Sequence, residues 1–73
     1  MKIPSVSGRK VVKALLKIGY AIDHQTGSHI ILRLQEKPFT RITVPNHKAI
    51  CKGTLRAIMR QANISIEKLA EML

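Results

Sequence analysis

Aromatic residues, acids and cysteine are all scarce in this sequence, and each scarcity removes a class of protein. Tyr20 and Phe39 are the two aromatic residues, and Trp is absent. A platform that grips single-stranded nucleic acid by stacking bases on rings needs more than that. Cys51 is the single cysteine, so a secreted scaffold stapled by internal disulfides is excluded. The acids are Asp23, Glu36, Glu67 and Glu71, which leaves little material for a paired-carboxylate or two-metal centre. No apolar run approaches the roughly 20 residues of a membrane-spanning helix. Met1 to Ser5 has no apolar signal-peptide core behind it, and the expected compartment is the cytoplasm. Gly53-Thr54 is far too little for a glycine-rich phosphate loop.

What is present is basic and apolar. The chain has 73 residues, with 13 Lys and Arg against 4 Asp and Glu, a formal net charge of +9, and 45% hydrophobic residues. That content of Ile, Leu and Val is foreign to a disordered polybasic tail. The length predicts one small domain over residues 1–73. Such a domain buries roughly 60% of the surface of its unfolded chain. Its core is marginal, and a stabilising partner fits that size. The charge predicts a polyanionic partner: nucleic acid, an acidic membrane face or an acidic protein.

Periodicity predicts the elements. Ser7 is placed to cap a helix over about residues 8–18, in which Val11, Val12, Leu15, Leu16 and Ile18 recur at helical spacing. Gly19 suits a left-handed stop. Residues 20–25 alternate as a strand, with Tyr20, Ile22 and His24 at every second position. Thr26-Gly27 turns the chain. A second strand runs from His29 to Gln35, with Ile30, Leu32 and Leu34 on one face and His29, Ile31 and Arg33 on the other. After the turn at Glu36-Lys37-Pro38, a third strand is expected from Phe39 to Val44, with Arg41 opposite Thr40, Ile42 and Val44. Pro45 ends it by removing a ladder donor. Connections this short require an antiparallel meander.

Asn46 to Cys51 is a loop holding His47 and Lys48. Leu55, Ile58, Met59 and Ala62 then mark a second helix, with Thr54 or a residue just before it as the cap and Asn63 as the stop. Ser65 caps a short last helix bearing Ile66, Leu69, Ala70 and Leu73, with Glu67 in its first turn. The order α-β-β-β-α-α is an α+β fold: a three-stranded antiparallel sheet with helices on one face and the other face open to a ligand.

The charge is concentrated. Residues 1–64 hold 12 bases and 2 acids, a net of +10. Arg9, Lys13 and Lys17 form one stripe at helical spacing, and Lys52, Arg56 and Arg60 form another. Each stripe is read either as a solvated face opposite the core or as a track for an RNA backbone. Arg33 and Arg41 project from the open sheet face as phosphate ligands.

Among groups able to do chemistry, the three histidines stand out. His24, His29 and His47 lack zinc-site spacing and no Cys pair accompanies them, so no metal is expected. Cys51 reads as an incidental residue, because a reactive thiol needs an identifiable low-pKa setting. Histidine is the side chain that ordinarily titrates nearest neutrality. A neutral imidazole in a basic field is a serviceable general base toward a ribose 2′-hydroxyl. The same field stabilises the extra negative charge of a phosphorane-like transition state. A bland reading, a surface histidine making ordinary hydrogen bonds, competes for each of the three.

One ordered set of segments separates these readings. Gly19-Tyr20, His24 to His29, Thr43 to His47, and Lys52 to Ala62 together resemble the HicA family of bacterial toxins, the mRNA-cleaving partners of type II toxin–antitoxin pairs. The likeness runs from about Ser7 to the C-terminus. It implies a fold like a double-stranded-RNA-binding domain. It implies His29, in Gly27-Ser28-His29, as the catalytic residue, with Gly27 and Ser28 at the RNA beside it. It aligns Thr43-Val44-Pro45 with the family's strand end, and Lys52 to Arg56 with the start of its second helix. His24 stands where family members often carry Arg, and Ile30 where they often carry a second His or another polar residue. His24 and His47 are candidate helpers.

The function so implied is a metal-independent mRNA endoribonuclease toxin needing no cofactor and inhibited by a cognate HicB-type antitoxin. The competing reading is a non-catalytic RNA-binding module, which needs only basic side chains and shape recognition. A DNA-binding β-ribbon fits less well, since no dimerisation segment is visible.

Overall fold

The computed structural model describes residues 6–73. The segment Met1 to Ser5, read above for a signal peptide, lies outside the described residues. The elements are α1 (Gly8–Leu16), β1 (Tyr20–Thr26), β2 (His29–Leu34), β3 (Arg41–Pro45), α2 (Lys52–Ala62) and α3 (Ile66–Met72). The strands form one antiparallel sheet in the order β1-β2-β3. This is the expected meander, in the expected α+β order.

The helix caps follow the local chemistry. Ser7 has extended backbone angles, and its hydroxyl accepts from the Lys10 amide at 3.3 Å. Ser65 does the same for Lys68 at 3.1 Å, and Glu67 sits in the first turn of α3. Asn63 takes the left-handed stop of α2 at φ 57°. The cap of α2 differs from expectation. Cys51 occupies it, and Thr54 lies inside the first turn.

Boundaries and buried positions also shift. The first helix closes at Leu16, two residues early, because Lys17 and Ile18 tighten onto Ala14 and Leu15 before Gly19 turns at φ 103°. The third strand starts at Arg41 rather than Phe39. Phe39 adopts φ 58°, which breaks the extended run, and its amide turns back to the Glu36 carbonyl at 2.8 Å. In α3 the buried side chains are Leu69 and Met72, whereas Ala70 and Leu73 are exposed.

The largest local departure is in β1. Ile22 pairs with Leu32, yet His24 pairs with Ile31, so the register shifts between them at a bulge on Asp23. Directly paired residues share a sheet face. Simple alternation would put His24 beside Tyr20 and Ile22. The extra residue instead moves His24 to the open face, with Ile31, Arg33 and His29.

The opposite face is the core. Ile30, Leu32, Ile42 and Val44 point toward the helices and are buried against Val11, Leu15, Leu55 and Ile58. Full burial of one such side chain contributes roughly 1.5–3 kcal/mol. Ile22 lies on this face at the sheet edge, beyond the helices, and is 54% exposed. The third helix returns to α1, where the Lys17 ammonium donates to the Met72 carbonyl at 3.0 Å. One residue of the first basic stripe therefore serves the fold. Among the described residues, no helix is long and apolar enough to cross a membrane.

Candidate active site

The β1–β2 turn and the loop after β3 meet at one end of the sheet. Gly27 and Ser28 link Thr26 to His29, which pair across the hairpin. Gly27 supplies φ 53°, an angle that L side chains rarely adopt. On its other side His29 pairs with Pro45, the last residue of β3. The loop that follows is tied down by its backbone. The Asn46 amide donates to the Ser28 carbonyl at 2.6 Å, the Gly8 amide to the His47 carbonyl at 2.9 Å, and the Ile50 amide to the Val6 carbonyl at 2.8 Å. Ile50 itself is buried. These contacts give the loop's backbone polar groups partners in α1, the hairpin turn and the segment before α1.

Between this loop and the open sheet face lies a cleft of about 450 Å³. His29, Thr43 and Pro45 line it from the strands; His47, Ala49, Cys51 and Thr54 line it from the loop and the start of α2. Two of the three histidines thus face one space. The third does not: the His24 ring sits 2.9 Å from the Asp23 carboxylate, away from the cleft lining. Among the described residues, no group of three or more His, Cys, Asp and Glu is arranged to hold a metal ion.

The electrostatics have two centres. In the cleft, the Cys51 sulfur lies 3.0 Å from the Thr54 hydroxyl. That contact, with the Thr54 amide of the first helical turn, holds the thiol below its usual range. On the sheet, Asp23 is held below the usual carboxylate range, first by its hydrogen bond to His24 and then by the charges of Arg41, His24 and Arg33. Arg33 and Arg41 are direct cross-strand partners on the open face. Like charges so placed repel, and Asp23 beside them relieves part of that repulsion.

The residues singled out from sequence are therefore only partly gathered. His29 and His47 share the cleft, Gly27 and Ser28 form the turn at its edge, and Lys52 opens α2 next to Cys51. Arg33 and Arg41 lie on the same face but farther along it. Arg33 lies four residue steps along β2 from His29, about 13 Å. Arg56 and Arg60 follow Lys52 along the exposed side of α2, one and two turns on. Sequence reasoning passed over Thr43, Thr54 and Cys51, which line the cleft, and Gly8, which holds its loop. Cys51 had one readable signal, its position immediately before the Lys52-Gly53-Thr54 helix start. Gly8 had none, since its role depends on a backbone distant in sequence.

Sequence comparison adds a family to this geometry. The model of the family described as HicA toxin of bacterial toxin-antitoxin matches residues 8–64. The match takes in α1, the sheet and α2, and leaves α3 outside. No curated protein and no solved structure matches the chain.

Proposed function

The chain belongs to the HicA toxin family of bacterial toxin–antitoxin pairs, and from that premise we propose that it is an mRNA endoribonuclease working without a metal through His29. One observation carries the reading: His29 lines the cleft at the end of an open sheet face that also presents Arg33 and Arg41. The strand arginines bind phosphates of the chain beyond the cut, farther along the open face, and the cleft receives the scissile linkage. His29 removes the proton of the ribose 2′-hydroxyl, which attacks the neighbouring phosphorus. The surrounding positive charge favours the extra negative charge on phosphorus in the transition state. Gly27 and Ser28 let the RNA backbone approach the turn closely. Lys52, Arg56 and Arg60 extend the phosphate track along α2.

The cognate antitoxin, a protein of HicB type, covers the cleft and keeps the toxin silent in the cytoplasm. Its contact surface is acidic opposite residues that carry a net +10 over 1–64, from 12 bases and 2 acids. Burial of the open face in that complex also suits residues 1–73 as one marginal domain.

The test is a labelled RNA incubated with the purified protein in excess chelator, wild type beside His29→Ala. Wild type yields cut products with cyclic phosphate ends, and the folded variant yields none. Induction in cells gives growth arrest and transcript loss with wild type alone. Equal toxicity from a folded His29→Ala protein overturns the role of His29. Tight, salt-sensitive binding with no cut products from wild type returns the protein to the class of RNA-binding modules.

A further inference from the structure

A ribose hydroxyl that attacks phosphorus must expel the 5′-oxygen of the next nucleotide. The 2′-oxygen–phosphorus bond forms as the phosphorus–5′-oxygen bond breaks, and the bonding pair leaves with the 5′-oxygen. An alkoxide is a poor leaving group unless a proton reaches it. One imidazole that has just taken the 2′ proton is on the wrong side to deliver it. The reaction therefore needs a second proton carrier in the cleft.

Few groups qualify. The titratable side chains lining the cleft are His29, His47 and Cys51, and among the described residues no carboxylate, lysine or arginine lines it. The Cys51 sulfur is already engaged with the Thr54 hydroxyl at 3.0 Å. His24 stands outside the lining, paired with Asp23. His47 comes from the loop after β3, so it borders the cleft from a different element than His29 on β2.

The fold uses the backbone of His47, and among the described residues its ring has no hydrogen-bond partner. Its carbonyl accepts from the Gly8 amide, while its side chain is exposed. The neighbouring backbone is fixed at Asn46 and at Ile50. A histidine so mounted is tied to α1 through its main chain, and its imidazole takes no part in the mounting.

We propose that His47 is a second catalytic residue, the general acid that protonates the departing 5′-oxygen across the cleft from His29. The inference rests on the ribonuclease reading given above. The reaction balances: His29 gains the 2′ proton, His47 gives its proton to the 5′-oxygen, and the products are a 2′,3′-cyclic phosphate and a 5′-hydroxyl. Proton exchange with water then resets both rings.

The test replaces the 5′-oxygen at the cut site by a bridging sulfur, because a thiolate departs without being protonated. On ordinary RNA, His47→Ala and His47→Gln cut roughly 10²–10⁴-fold more slowly than wild type, the span of general acid catalysis. On the sulfur-bridged RNA both variants return to nearly the wild-type rate, while His29→Ala stays slow. Thermal melts of both His47 variants match wild type, since the Gly8 contact is made by the main chain. His47 variants that cut ordinary RNA at the wild-type rate overturn the proposal. So does an equal loss on both substrates, which marks a positional role. Failure of the ribonuclease reading is told apart by wild type itself, which would then cut neither substrate and take the proposal down with it.

Discussion

The amide of Gly8 donates to the carbonyl of His47 at 2.9 Å, tying the first residue of α1 to the loop that borders the cleft. The approach is closer than any side chain permits. A Cβ built on Gly8 collides with the Pro45 carbonyl oxygen. Two opposed effects meet at this position. Replacing a helical glycine by alanine ordinarily gains up to ~1 kcal/mol of helix propensity. Overpacking against fixed backbone costs about 1–3 kcal/mol, and loss of the amide contact adds to it. The clash wins, so Gly8→Ala is expected to lose about 1–2 kcal/mol net. In a domain of this size that lowers Tm by roughly 5–15 °C. A melting curve followed by circular dichroism checks it, and an unchanged Tm would mean that α1 can step away from the loop freely.

Asp23 is the one acid in the three strands, and it cancels charge where the open face is most basic. Its carboxyl is depressed by the His24 hydrogen bond and by the charges of Arg41, His24 and Arg33. A depressed carboxyl binds its proton more weakly folded than unfolded. Its contribution to stability is therefore present above the ordinary aspartate value of 3.8 and is lost as pH falls below it. Asp23→Asn lacks that acid limb, so its Tm should fall less than that of wild type between pH 5 and pH 3. The substitution also adds one net positive charge to the open face. RNA affinity should rise at low salt, with the gain shrinking as salt screens it. Fluorescence titrations at two salt concentrations decide the second point; an affinity that drops would show Asp23 contacting the RNA.

Cys51 offers a chemical reading of the cleft. Its thiol is held below the usual range by the Thr54 hydroxyl and by amides of the first turn of α2. More thiolate is then present near neutral pH than for an ordinary cysteine. Iodoacetamide should modify Cys51 faster than it modifies glutathione at pH 7, and the pH profile should shift upward in Thr54→Val. Because the adduct would fill the space lined by His29 and His47, modified protein should lose RNA cleavage. Equal alkylation profiles for wild type and Thr54→Val would remove Thr54 as the cause.

The architecture was legible because its signals are local. Period-3.6 and period-2 patterns, Ser7, Ser65 and Asn63 at helix ends, and Gly27 in the hairpin each act within a few residues. What escaped the sequence was set by contacts distant along the chain. Nothing near Asp23 announces a bulge, yet the bulge decides which face His24 joins. Nothing near Phe39 announces φ 58°, yet it costs β3 its first two expected residues. The site was legible in the same uneven way. The Gly27-Ser28-His29 segment pointed to His29 only as one piece of the ordered family resemblance. The cleft around it is built from a loop, a strand and a helix start that only tertiary structure unites, and Thr43, Thr54 and Cys51 enter through that union.

On the proposed reaction, the two strand arginines should separate binding from chemistry. Arg33 and Arg41 are cross-strand partners, and their row lies about 13 Å along the sheet from His29. A single phosphate seated between His29 and His47 does not reach them. A longer RNA would, with each arginine neutralising one of its phosphates. Counterion release sets the consequence: on single strands each contact contributes about 0.7 to the slope of log affinity against log salt. The double variant Arg33→Gln, Arg41→Gln should therefore flatten that slope by about 1.4 for a long RNA. Its KM for that RNA should rise while the rate at saturation changes little. A dinucleotide, with its single phosphate, should be cut by the variant and by wild type at similar rates. Equal losses on the dinucleotide and on the long RNA would place the arginines' effect at the scissile phosphate, and the open face would then have to curl the RNA back on itself to bring them there.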